Sequence, residues 1–340
     1  MNTFKTGMIA IAWLPLAMYV PSVPAQAQET IVTYITENGG HTPHKDSAAY
    51  TNVIHIAAND QGLHELNDYY PDGSLKRHGF IKTADPRRIN FMGPVESYYD
   101  NGTLASAVHY VDNQPADTAL YYYRNGALKE RRVYLPRKNA PGTTPDEKEI
   151  QPRMLYYADS LGNIQVENGN GEAEIFIDDM DIERGRYVDG LREGRWEGTF
   201  HKAKYRFEEW YTQGVVTRGI STDSLGQQFP YSQRGVAPEY PGGIQNLMRF
   251  VANNYQYPKP AIRARVNGQV LISFVVDTAG APVEMEIVND LGYGTGAAGV
   301  AVLKRSPHWT PGYQRGVPVR VKYTIPIRLN LSPPPRNDSQ

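Results

Sequence analysis

The sequence predicts a mainly β protein with a small α+β region at its C-terminal end. Three observations point there. The 340 residues include 24 Tyr, 31 Gly and 25 Pro, a mix that favours strands and turns over helices. A turn built on an aromatic, an Asp or Asn and a glycine recurs through the first two thirds of the chain. Near the C-terminus, Val317 to Leu329 alternates apolar and polar residues, the period of a half-buried strand. Hydrophobic residues at 40% and charged residues at 21% describe a globular chain, long enough for two or three domains.

Residues 1–27 read as a secretory signal. Lys5 supplies the basic start, and Ala25-Gln26-Ala27 gives a small-x-small cleavage site before Gln28. The apolar stretch Met8–Val23 is broken by Pro15 and Pro21 and falls short of the about 20 residues that a span requires. An exported, soluble mature chain is the expectation, and an uncleaved signal-anchor is the alternative; only that alternative brings membrane contact. There is no Cys, which removes disulfides, thiol nucleophiles, thiolate zinc sites and acylated cysteines.

The net charge of −1 hides an asymmetry. Residues 28–230 hold 22 Lys/Arg against 30 Asp/Glu, and residues 231–330 hold 11 against 5. A domain boundary near 230 is expected, supported by Gly226, Pro230, Gly235 and Pro238. The near-neutral total argues against a nucleic-acid partner.

The acidic part repeats Tyr69-Tyr70-Pro71-Asp72-Gly73, Tyr98-Tyr99-Asp100-Asn101-Gly102 and Tyr122-Tyr123-Arg124-Asn125-Gly126, with a looser copy from Tyr156 to Gly162. Asp-Gly and Asn-Gly favour two-residue type I′ hairpin turns. Such turns would place Tyr70 opposite Leu75, Tyr99 opposite Leu104 and Tyr123 opposite Leu128. Copies 29 and 24 residues apart predict a solenoid or an extended meander of hairpins. The rhythm continues through Gly185-Arg186-Tyr187, Gly194-Arg195-Trp196-Glu197-Gly198 and Trp210-Tyr211-Thr212-Gln213-Gly214. Roughly residues 60–225 resemble the MORN-type repeats of the YwqK-like antitoxin family. That resemblance implies a binding or spacer sheet, whose tyrosines pack the sheet.

No motif assembles an active site. Gly294-Thr295-Gly296-Ala297-Ala298-Gly299 matches G-x-G-x-x-G, yet no Asp or Glu lies between Leu291 and Asn337 to hold a ribose. His41 and His44, with His55 and His64 downstream, sit in a polar stretch and read as solvated. Asp178, Asp179, Asp181 and Glu183 lack the glycine and closing glutamate of a calcium loop and read as an acidic turn. The expectation is a protein that is not an enzyme, with no cofactor and no metal.

In the basic part, Tyr240-Pro241-Gly242-Gly243 precedes a helical pattern of Ile244, Leu247, Met248 and Val251, ended by Pro258 and Pro260. Val270, Ile272, Phe274 and Val276 predict a strand, Asp277-Thr278-Ala279-Gly280 a turn, and Val283, Met285 and Ile287 the returning strand. Residues 296–305 predict a short helix. Val317, Val319, Val321, Tyr323, Ile325, Ile327 and Leu329 then put one apolar face on a single long strand. Arg320, Lys322, Thr324, Pro326 and Arg328 lie on its other face. Pro326 confines that strand to a sheet edge or a bulge, where an extended peptide can add. Its basic residues either favour an acidic partner or guard the edge against aggregation.

Residues of about 236–331 resemble the C-terminal domain of the TonB energy transducers of Gram-negative bacteria. The resemblance rests on Tyr240-Pro241-Gly242-Gly243, Tyr257-Pro258, Gly268-Gln269-Val270 with Asp277 and Gly280, Trp309-Thr310-Pro311-Gly312, Gly316-x-Pro318-Val319 and Pro326-Ile327. It implies a β-β-α-β fold after a helix, and capture of a receptor's "TonB box" peptide by strand addition. The implied peptide-binding residues are Tyr257, Pro258, Val319, Arg320, Val321, Lys322, Tyr323, Thr324 and Ile325. The implied partner is an outer-membrane receptor or other envelope protein, and the implied compartment is the periplasm. The chain departs from the family in its Gly296-Ala297-Ala298-Gly299 helix, where a charged Glu-Ala-x-Arg pattern is usual. It also has repeats in place of a Pro-rich linker, so peptide binding carries over better than energy transduction. The alternative is a repeat scaffold for a glycan, lipid or protein, with this domain used for dimerisation.

Overall fold

The computed structural model describes residues 29–37, 39–135 and 152–330. The signal-like segment at 1–27 and the tail at 332–340, expected to be disordered, lie outside them. The chain divides into two compact units after Gly93.

The first unit is an antiparallel sheet of β1 (Thr30–Ile35), β2 (His41–Thr42), β3 (Tyr50–Ala58), β4 (His64–Tyr69) and β5 (Leu75–Ile81), in the order β5-β4-β3-β1-β2. Ile54, Leu66 and Ile81 are fully buried at its centre. Asp68 is buried with them, accepting a hydrogen bond from Asn52 Nδ2 at 2.7 Å and pairing with Arg77. His41 and His44 are solvent-exposed, as expected.

The second unit opens with a meander of β6 (Gly93–Tyr98), β7 (Leu104–Val111), β8 (Gln114–Tyr122), β9 (Leu128–Tyr134), β10 (Arg153–Ala158) and β11 (Ile164–Glu167). A six-stranded antiparallel sheet follows: β12 (Gly171–Phe176), β13 (Ile182–Val188), β14 (Leu191–Phe200), β15 (Tyr205–Thr212), β16 (Val215–Asp223) and β17 (Gln228–Tyr231), neighbours in sequence order. The extended meander is the observed alternative. Its tyrosines bind strand to strand: the hydroxyl of Tyr99 donates to Tyr122 O, that of Tyr123 to Ala158 O, and that of Tyr157 to Glu174 O.

The repeat turns correct the type I′ expectation. Tyr69 pairs with Leu75 and Tyr122 with Leu128, one residue off the predicted register. In each turn the glycine alone is left-handed: Gly73, Gly102 and Gly126 have φ of +87°, +80° and +85°. Glycine N–H donates to the carbonyl three residues back, and the Tyr70, Tyr99 and Tyr123 N–H groups donate to Ser74, Thr103 and Ala127. This is a type I turn closed by a glycine bulge. The Asp or Asn side chain selects it by accepting the N–H two residues on, from Ser74, Thr103 or Ala127. Two-residue type I′ turns occur instead at Asp112-Asn113, Asp189-Gly190 and Gln213-Gly214, where both central residues have positive φ.

The C-terminal segment holds β18 (Gly235–Val236), α1 (Gly243–Asn254), α2 (Lys259–Arg263), β19 (Gly268–Val276), β20 (Pro282–Asn289), α3 (Thr295–Leu303), β21 (Gly312–Gln314), β22 (Val317–Val319) and β23 (Val321–Leu329). It forms two small sheets, β18-β21-β22 and β20-β19-β23. Leu247, Val270, Ile272, Phe274, Val276, Val302 and Leu303 are fully buried in its core. The β-β-α-β order is as the resemblance implied. The single strand from Val317 to Leu329 is not: Val319 pairs with Gly312 and Val321 with Val276, so the chain changes sheets at Arg320. The alternation survives the break because odd-numbered residues are the buried ones in both pieces, Val317 against Phe200 and Phe207, and Ile325, Ile327 and Leu329 in the C-terminal core.

The G-x-G-x-x-G match serves packing. A Cβ on Gly296 would lie 2.8 Å from Ile287, and one on Gly299 would lie 3.1 Å from Ile272. The glycines let α3 lie close on the sheet, and Asp290 caps its start by accepting from Thr295 Oγ1 and Gly296 N.

Buried charge joins the C-terminal segment to the β12–β17 sheet. Arg315, at the β21–β22 turn and 4% exposed, pairs with Glu183 of β13 and with Glu209 of β15 at 2.9 Å. Its guanidinium lies 3.6 Å from the Phe207 ring centroid. Ser221 Oγ donates to Arg315 O at 2.7 Å, and Val317 packs with Phe200 and Phe207. Arg192 and Arg234 also pair with Glu183. Burial pushes the Glu183 carboxyl up, but Arg192, Arg234 and Arg315 outweigh it and hold the group well below the usual carboxylate range. Burial also opposes ionisation of Glu209, yet Arg315 and Arg234, with a hydrogen bond from Tyr211, keep it depressed.

Candidate functional site

The strand β23 has a neighbour, β19, on one side only, so among the described residues its other main-chain edge is open. Pro326 sits within it, where the missing N–H is tolerated on an edge.

A groove of about 450 Å³ runs beside that edge, lined by Met248, Val251 and Ala252 of α1, by Tyr255 and Tyr257, and by Pro326, Ile327, Arg328 and Leu329 of β23. Its shape follows from how α1 is anchored. Gly242 and Gly243 adopt φ of +75° and +80°, and the turn they make seats Tyr240 against Phe250 and Trp309, with ring centroids 6.0 and 5.5 Å apart. Leu247 and Val251 then enter the core, whereas Ile244 and Met248 stay 47% and 36% exposed. The apolar stripe of α1 is thus wider than its buried part, and Met248 is left on the groove. The helix ends at Asn254, and the buried Tyr255 hydroxyl donates to Thr295 O at 2.8 Å. Tyr257 packs edge-on against Tyr255 at 5.0 Å and is 37% exposed.

The structure scatters the residues marked in the sequence. Tyr257 lines the groove, and Pro258 stands at the start of α2. Val319 belongs to the other sheet. Tyr323 packs its ring against Phe274 and Trp309, and Ile325 is buried, so on β23 they offer an edge only through their main chain. Thr324 is exposed opposite Ser273. Arg320 and Lys322 are exposed but pair with Glu284 and Glu286 of β20, which reach them across β19. Their charge is therefore largely spent within the domain. Arg328, on the groove, has no ion-pair partner among the described residues. The side chains named from the resemblance end at Ile325 and do not include Met248, Ala252, Tyr255 or Pro326–Leu329 of the groove wall, although the strand read from the sequence runs to Leu329. A helix stripe holding two apolar positions more than the core takes, Ile244 and Met248, was the available signal.

Among the described residues, no three His, Asp or Glu side chains converge as metal ligands, and no helix is long and apolar enough to cross a membrane.

Residues 253–331 match the family described as Gram-negative bacterial TonB protein C-terminal. The match covers α2, both strands of the hairpin, α3 and the open-edged β23, together with Tyr255 and Tyr257. It begins after most of α1, so the Tyr240-Pro241-Gly242-Gly243 anchor lies outside it. Over that segment the chain is similar to a TonB C-terminal domain, and among the described residues a β-meander precedes α1. No curated protein was found to match the chain.

Proposed function

We propose that the segment from about residue 231 to 331 captures an extended segment of an outer-membrane receptor or other envelope protein, as a strand added to β23, in the periplasm. The observation that carries this reading is an open strand edge with an apolar groove running beside its Pro326–Leu329 end. Main-chain bonds along an edge supply affinity whatever the peptide sequence, and the groove supplies selection. Met248, Tyr255, Tyr257 and Ile327 favour an apolar or aromatic side chain there, and Arg328 favours a nearby acidic group. The repeats before residue 230 act as a mount for this domain, in a protein that is not an enzyme and is tied to transmembrane transport through its partner.

Calorimetry with synthetic TonB-box peptides of the source bacterium's outer-membrane receptors tests the reading. Ala252→Trp, at an exposed groove position, should weaken binding tenfold or more while leaving the thermal midpoint unchanged. Peptide binding that ignores this substitution would sink the groove reading. A second copy of the chain is the competing occupant of the edge. A dimer in sedimentation that peptide does not dissociate would favour it.

A further inference from the structure

The open edge of β23 and the groove meet at one residue. Pro326 is solvent-exposed, and it is the first β23 residue on the groove wall. We infer that Pro326 sets the selectivity of peptide capture, by ending the main-chain ladder where the groove begins. The inference rests on the strand-addition reading above.

The direction of the missing N–H follows from the pairing. Along an antiparallel strand, successive residues turn their N–H and C=O alternately toward one neighbour and toward the other side. β23 pairs with β19 without a register shift from Val321, opposite Val276, to Leu329, opposite Gly268. A proline turned toward β19 would remove a bond from that ladder. Pro326, opposite Leu271, therefore turns outward, and Lys322, Thr324 and Arg328 turn outward with it.

The open edge is then unequal along its length. Lys322 and Thr324 each present an N–H and a C=O, about 7 Å apart. Any extended peptide can bond there, whatever its sequence. The next outward donor is Arg328 N, about 14 Å beyond that of Thr324. Between them Pro326 offers a carbonyl only, so an added strand that keeps to the edge finds no donor for its own carbonyl. An unmet carbonyl beside apolar walls is costly, and the peptide is better placed leaving the edge at that point.

There the groove takes over. Met248 and Tyr257, 36% and 37% exposed, line it together with Tyr255 and Ile327. An apolar or aromatic peptide side chain regains by burial what the main chain loses, and a polar one does not. Pro326 thus divides the edge into a stretch that binds any extended chain and a stretch that reads a side chain.

The test uses the full chain in calorimetry with the TonB-box peptides named above. Each is paired with a version in which every apolar or aromatic residue is serine. The unmodified chain should prefer the native peptide at least tenfold. Pro326→Ala restores the donor and should tighten the serine version about fivefold, as one main-chain hydrogen bond would. The native peptide, already seated in the groove, should gain much less, so the preference falls at least threefold. Amide hydrogen exchange checks the geometry in the unmodified chain. The N–H groups of Tyr323, Ile325 and Ile327 should be protected, and those of Lys322, Thr324 and Arg328 should exchange fast. Bound native peptide should protect Lys322 and Thr324 and leave Arg328 exchanging. Protection of Arg328, equal tightening of both peptide versions by Pro326→Ala, or no change in either would overturn the role of Pro326 while strand addition stands. No binding of either version to the unmodified chain would overturn strand addition itself, and this inference with it.

Discussion

The β12–β17 sheet and the C-terminal domain solve the same packing problem with opposite chemistry. The C-terminal core is built of apolar residues, from Leu247 and Phe274 to Ile325, and buries no charged side chain among the described residues. The sheet it leans on buries Glu183 and Glu209 and receives Arg315 between them. An apolar core tolerates exchange of shape for shape and leaves the open edge of β23 to act through main chain alone. A buried ion cluster tolerates almost no exchange, because each partner's removal strands another charge. Specific orientation of the two parts is therefore carried by a few side chains at the β21–β22 turn.

Removing Arg315 should break the contrast most sharply. Arg315→Met takes from Glu183 and Glu209 the buried arginine that pairs with both, leaving them Arg192 and the half-exposed Arg234, at a cost of about 3–5 kcal/mol. Arg315→Lys should restore little of it, since an ammonium cannot bridge Glu183 and Glu209 while lying flat on Phe207. Urea unfolding followed by tryptophan fluorescence measures both.

Acid should act on the same half. Glu183 and Glu209 have carboxyls depressed by their arginines. Their contribution is fully present above the unfolded carboxylate value of about 4.3 and is lost as pH falls toward the depressed folded values. Urea midpoints taken from pH 7 to pH 3 should fall, and Glu183→Gln should flatten that slope while lowering the midpoint at pH 7. An equal slope in the variant would mean that the cluster does not control acid stability.

The apolar half should respond to volume instead. Gly299→Val places new carbons against Ile272 and Ile327, already 3.1 and 3.2 Å from a single Cβ, and should cost about 1–3 kcal/mol by overpacking. Thermal unfolding at pH 7 and pH 4 should show the same loss at both.

How much of this was legible beforehand follows the same division. Period-two and helical patterns announced β19, β20, α1 and the apolar face of β23, because burial in an apolar core leaves a periodic trace. The break at Arg320 left none, since Val319 and Val321 keep the alternation while serving different partner strands. The repeat turns were visible but misassigned: Asp72 and Asn101 were read for their tolerance of positive φ, whereas their side chains select a type I turn by accepting a hydrogen bond two residues on. Glu183 looked like part of an acidic turn, and Arg315 carried no signal at all. Their partners lie 132 residues apart in sequence, beyond any local pattern. The groove was half visible, because Met248 was counted with the core stripe rather than beside it.

The smallest expected effect tests what the basic face of β23 is for. Arg320 and Lys322 pair with Glu284 and Glu286 as exposed ion pairs, worth about 0–1 kcal/mol each. Lys322→Ala should leave stability within that range and peptide affinity within about twofold, because its charge is already met by Glu286. Arg328→Ala, without an ion-pair partner and on the groove, should instead weaken an acidic peptide more than a neutral one, by a margin that shrinks as salt is raised. If Lys322→Ala discriminates between the two peptides as strongly as Arg328→Ala, then the ion pairs do not quench the face, and selection extends along the whole edge rather than sitting in the groove.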